Sequence, residues 1–140
     1  KILLIVMMLV MCVSSACLAS DGSVLDAEAK MVDQFLNASS YKNVSSILSD
    51  DMKANFDETK FNEYKASITK DLGAFKEKQL VNVIKRPGVD RLVYGAGFDG
   101  GKVMMVIADF AVNNEKPLLL NIAIVPPQPP KDQAQADQNK

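Results

Sequence analysis

The apolar residues of this chain change their period at Gly73, and a chain patterned in this way is restricted to a two-part fold. Upstream of that glycine, hydrophobic positions recur every three to four residues; downstream they alternate. Leu25, Val32 and Leu36, with Val24, Met31 and Phe35, form one stripe, and Ser23 followed three residues later by Asp26 has the form of a capping box, so a helix is predicted from 23 to about 38. Tyr41, Val44, Ile47 and Leu48 repeat the spacing over two turns and predict a second helix. Ser49-Asp50-Asp51 then reads as a capped turn leading to Met52 and Phe56. Asp57 caps a third helix, which carries Phe61, Tyr64, Ile68 and Leu72 on one face and has Gly73 just past its end.

After Gly73, "KEKQLVNVIK" (76–85), "DRLVYGAGF" (90–98), "KVMMVIADFAV" (102–112) and "PLLLNIAIV" (117–125) are four strand-like runs. They are parted by Pro87-Gly88, Asp99-Gly100-Gly101 and Asn113-Asn114-Glu115. Turns this short join antiparallel neighbours, so the last three runs are expected to form a meander. Helices first and strands second is an α+β plan: three N-terminal helices packed on a curved, mostly antiparallel four-stranded sheet.

Ahead of the first helix, Lys1 precedes twelve uncharged residues, "ILLIVMMLVMCV", followed by "SSACLAS". A basic start, a short apolar run and small residues at the exit describe a secretory signal over 1–19. The run falls short of the roughly 20 residues a spanning helix needs. Two processing schemes fit. In one, cleavage follows Ala19 and the chain begins at Ser20. In the other, Cys17 becomes a lipid-bearing first residue, since "VSSAC" resembles a lipoprotein box with Ser14 in place of the usual Leu. Either scheme implies export to the periplasm, the cell surface or the medium, with membrane attachment only through that lipid. The expected domain runs from 20 to 126, and "PPQPPKDQAQADQNK" makes a Pro- and Gln-rich tail over 127–140, expected to be disordered.

Both cysteines, Cys12 and Cys17, fall in the signal, so the exported domain is expected to hold together through its core rather than through disulfides. Removing Lys1 leaves 15 basic and 17 acidic residues with no Lys/Arg cluster, which argues against a nucleic-acid partner. The chain has no histidine, so Ser-His-Asp and Cys-His catalysis and nearly all zinc chemistry are excluded, and no cofactor is expected. Gly95-Ala96-Gly97-Phe98-Asp99-Gly100 matches the spacing of a dinucleotide-binding loop. That loop needs a helix N-terminus after it and an acidic residue about 20 positions on, and here a strand follows and "PLLLN" stands there instead. Gly100 and Gly101 are read as hairpin-turn residues, and Gly95 and Gly97 as sites where a strand bends.

Alternation places Leu92, Tyr94, Ala96 and Phe98 with Met104, Val106, Ala108 and Phe110 on the face beneath the helices. Phe35, Phe61, Tyr64, Tyr94, Phe98 and Phe110 are the candidate lining of an enclosed cavity. Asp109 falls on the opposite face from Tyr94, so no acid–base pair assembles, and no catalytic residue is assigned. That outer face is itself apolar: Val93, Val103, Met105, Ile107 and Ala123 are candidate interface residues, with Val81, Val83, Leu119 and Val125 beside them. A patch of this kind marks contact with another protein, and a two-fold homodimer is expected through it. Asp109 is then expected at the rim or paired with Lys85 or Arg91.

Three helices followed by a bent antiparallel sheet, with "YKNVSSILSDDMKANF" leading to a helix that ends at Gly73, resemble the cone-shaped nuclear transport factor 2-like fold. More narrowly, the chain is similar to uncharacterised domain families of secreted bacterial proteins, some of which precede hydrolase domains. The resemblance spans about residues 23 to 126 and implies an exported, non-enzymatic binding or scaffold domain, taking a small apolar ligand or a protein partner. The wider superfamily also holds isomerase- and dehydratase-like enzymes, which makes a carboxylate-plus-tyrosine enzyme the alternative. A cystatin-like inhibitor is a weaker match: "QLVNV" (79–83) resembles the inhibitor loop, but Val83 replaces its turn glycine.

Overall fold

The computed structural model describes residues 22–112 and 116–127. The signal region 1–19 with Cys17, and all but the first residue of the 127–140 tail, lie outside the described residues. Helix α1 covers residues 22–37. A 3-10 turn, Tyr41–Asn43, leads to α2 (Asp50–Asn55) and α3 (Glu58–Asp71). The strands are β1 (Phe75–Arg86), β2 (Val89–Phe98), β3 (Val103–Ala111) and β4 (Leu118–Val125). They pair in the order β1-β2-β3-β4, antiparallel throughout, so the meander extends to all four and the sheet stays open. The fold is α+β, with its helices N-terminal to the sheet.

Local chemistry sets the helix ends. The Ser49 hydroxyl accepts from the Met52 amide at 3.1 Å, and an Asp57 carboxylate oxygen accepts from the Lys60 amide at 2.9 Å, so each helix has one of its free N–H groups satisfied. The second helix is displaced from its expected position. Residues 41–48 make only a 3-10 turn and further turns, and the helix starts at Asp50. Val44, Ser45, Ser46 and Ile47 combine β-branched side chains with hydroxyls that compete for the backbone, both poor in helices. Leu48 instead bridges Leu119 in parallel, with Ser49 N donating to Leu119 O (2.9 Å) and Leu119 N to Ile47 O (2.8 Å).

At the far end of α3, Gly73 adopts φ +82 and its amide reaches the Ile68 and Thr69 carbonyls. A side chain there would meet the Asp99 Cβ at 2.5 Å. Asp99 accepts the Ala74 amide at 2.8 Å and pairs with Lys76 at 2.8 Å, while Lys102 donates to the Asp71 carbonyl. These bonds clasp the end of α3 to the β2–β3 turn. In that turn Gly100 and Gly101 sit at φ +73 and +74, conformations a side chain resists; the glycine-rich motif makes a hairpin.

The core lies between the helices and one sheet face. Phe35, Phe61 and Phe110 are fully buried with Leu48, Leu92, Leu119 and Val106. Phe61 meets Phe35 edge-on with centroids 6.1 Å apart, and Phe56 and Tyr64 complete the aromatic cluster. Two irregularities shift the alternation. A register shift between Leu80 and Asn82 turns Val83 opposite Leu92 on the helix side and puts Ile84 opposite Arg91. A second, between Asp109 and Phe110, sets Leu119 opposite Phe110 and buries it completely. Val83 and Leu119 therefore leave the outer-face set. Both irregularities beside Gly95 and Gly97 lie on the partner strand, where β1 carries an extra residue between Phe75 and Glu77, opposite Phe98 and Gly97, and another between Leu80 and Asn82, opposite Tyr94 and Val93.

Candidate functional site

Tyr64 borders three cavities among the described residues. A cavity of about 220 Å³ lies between the end of α1, the middle of α3 and the strand ends, walled by Phe35, Tyr64, Ile68, Phe75 and Phe98. A second, of about 310 Å³, runs from Tyr64 past Met52 and Phe56 to Leu120 and Ile122. A third, of about 260 Å³, lies between Tyr64, Ile68, Leu72, Met104 and Ile124. The hydroxyl of Tyr64 is buried without a hydrogen-bond partner, and burial pushes its pKa up to about 12. A buried hydroxyl in this state stays a protonated donor and normally finds an acceptor.

Of the residues expected to line a cavity, Phe35, Tyr64 and Phe98 do so. Phe61 and Phe110 are fully buried and Tyr94 is 3% exposed; these three belong to the packed core and border none of the three cavities. The aromatic spacing alone does not separate wall from core, because both lie on the same stripe.

A polar seam crosses the interior beneath α1, and it was not anticipated from the pattern. Glu28 is fully buried, neither carboxylate oxygen has a hydrogen-bond partner, and its pKa is pushed up to about 7 by burial, then by Asp90, with Lys85 acting in the opposite sense. Asp90, also buried, pairs with Lys85 at 3.5 Å. Farther along, Asp33 pairs with Lys78, whose ammonium lies 5.3 Å from the centre of the Tyr94 ring. Tyr94 has an unpartnered hydroxyl and a pKa of about 12, raised by burial and then by the charges of Asp33 and Glu28. The signal for Glu28 was its position in the stripe Leu25–Glu28–Val32–Phe35, where a carboxylate interrupts an apolar face.

On the outer face, Val93, Met105, Ile107 and Ala123 are half-buried and Val103 is 58% exposed. Asp109 meets Arg91 through two bonds, Nε to Oδ1 at 2.6 Å and Nη2 to Oδ2 at 2.9 Å, which raise the guanidinium's pKa; Lys85 pairs on the opposite, helix-facing side. Among the described residues no three of His, Cys, Asp and Glu gather as metal ligands, and no helix is long and apolar enough to cross a membrane.

Fold and cavities together define an α+β domain with helices seated on one face of an open antiparallel sheet and small clefts along α3. The chain belongs to DUF3887, a family of proteins of unknown function, whose sequence model matches residues 29–115, more than half of the 140 residues. No curated protein matches the chain, and no solved structure does.

Proposed function

We propose that this chain is an exported, non-enzymatic binding domain of the nuclear transport factor 2-like architecture that holds a small apolar ligand under α3. The observation that carries this reading is the set of three cavities that Tyr64 borders. Aromatic and aliphatic side chains interleaved with polar groups line these cavities, and such mixed, concave linings are where small molecules bind. Titration with 1-octanol, followed by amide NMR shifts, tests it. Saturable shifts at Leu36, Tyr64, Ile68 and Phe98, abolished by filling the space with Ile68→Trp, are expected. Absent or scattered shifts refute it.

The outer face supports a second role, self-association as a two-fold dimer. Val81 and Val103 are 61% and 58% exposed beside Val93, Met105, Ile107 and Ala123, a continuous apolar surface of the kind that marks a protein contact. The isomerase- or dehydratase-like alternative draws on Glu28 and Tyr94, a carboxylate and a phenol in one seam. Both are sealed in the core, and neither borders the three cavities, which places that reading second.

A further inference from the structure

We infer that the cavity walled by Phe35, Tyr64, Ile68, Phe75 and Phe98 takes a small monoanion with an apolar body, a medium-chain or aryl carboxylate, whose charged end is held by Lys65. The inference rests on the ligand-binding reading and assigns its ligand class.

Size comes first. At about 30 Å³ for a water-sized group, a cavity of about 220 Å³ accommodates roughly seven such groups, the body of an octanoate-sized molecule. The walls named above are aromatic or aliphatic, so the body is apolar.

Charge then selects the head. Lys65 is the one charged residue bordering this cavity; the other polar side chains there, Asn37, Thr69 and Tyr64, are neutral. The two neighbouring cavities carry the opposite sign, one bordered by Asp51 and the other by Asp71, with no cation in either. An anion is therefore directed to the first cavity and away from the others.

The state of Lys65 agrees with this. Among the described residues its ammonium makes one hydrogen bond, to the Leu36 carbonyl at 2.7 Å, and no ion pair. Two of its three N–H donors are thus unused by the protein. Burial lowers its pKa, because the site removes solvent from the cation without supplying an anion. A carboxylate in the cavity supplies that anion.

The test compares octanoate with 1-octanol and octanamide, titrated into the full chain at low and high salt. Octanoate is expected to bind at least about tenfold more tightly than either neutral analogue at low salt, with the preference narrowing at high salt. Lys65→Gln is expected to equalise the three, and Lys65→Arg to keep the preference. On the wild-type protein, which needs no variant to fold, the Lys65 Nζ resonance is expected to report a raised pKa when octanoate binds. Equal affinity for octanoate and the neutral molecules, or an unmoved Lys65 pKa, overturns the inference and leaves the binding reading standing. Failure of all three to bind overturns both.

Discussion

Replacing Glu28 by glutamine should change how the stability of this domain depends on pH. Glu28 is fully buried without a hydrogen bond, and its folded-state pKa stands at about 7 against an ordinary 4.5. Below pH 4.5 the carboxyl is protonated in both the folded and unfolded chains and carries no penalty. Between 4.5 and 7 the unfolded chain releases the proton while the folded chain keeps it, so stability falls as pH rises. Above about 7 both states are ionised and the loss is complete. At about 1.36 kcal/mol per unit the whole loss is about 3 kcal/mol, a large share of the roughly 5–15 kcal/mol that holds a domain together. Asp99, whose pKa is lowered by its bonds to Lys76 and the Ala74 amide, acts in the other direction and only below its ordinary 3.8, outside this window. Urea unfolding of wild type and Glu28→Gln from pH 4 to 8 measures the effect. The difference between the two curves should grow across the window and then level. The absolute offset is less informative, since a buried amide also lacks partners, at a cost of about 1–3 kcal/mol. Parallel curves, or a Glu28 carboxyl titrating near 4.5 by carbon NMR, would refute the argument.

Gly73→Ala should destabilise by at least about 1 kcal/mol, because it combines a positive φ with a collision at Asp99, and thermal unfolding reads it. Phe61→Ala, at the centre of the aromatic cluster, should cost about 3–5 kcal/mol by denaturant titration. A double-mutant cycle on Arg91 and Asp109 should give a favourable coupling that shrinks with salt, as suits a partly exposed pair. Sedimentation at micromolar concentration should find a dimer that becomes a folded monomer on changing Met105 and Ile107 to lysine; a wild-type monomer ends the dimer proposal.

What was legible in the sequence follows from what is local. The capped third helix, its glycine stop and the four strands rest on interactions within a few residues, and the chain displays them. The pairing of Arg91 with Asp109 was also within reach, since the Asp99-Gly100-Gly101 turn fixes the register of the two strands around it. Val83 and Leu119 changed faces because one extra residue in a strand reverses every later side chain, and nothing in "QLVNV" or "LLLN" marks where that residue falls. The second helix moved because Leu48 finds a strand partner 71 positions away, a contact invisible to any local window. Glu28 was marked by its place in the apolar stripe of α1, but its unusual proton affinity depends on burial and on Asp90 of the sheet, which the stripe does not show.

The clasp between Gly73, Asp99 and Lys102 makes α3 a lever with its fulcrum at one end. Displacement under a tilt grows with distance from the fixed point. At a rise of about 1.5 Å per residue, a tilt of about 10° carries Glu58 through roughly 3 Å but Lys65 through only about half of that. Such a tilt would open the space near Met52 and Phe56 more than the space beside Lys65 and Gly73, at the expense of the packing of Phe61 on Phe35 and Phe56. Acid that protonates Asp99 releases Lys76 and weakens the bond from the Ala74 amide, while the Lys102–Asp71 bond and the Gly73 cap still tether that end.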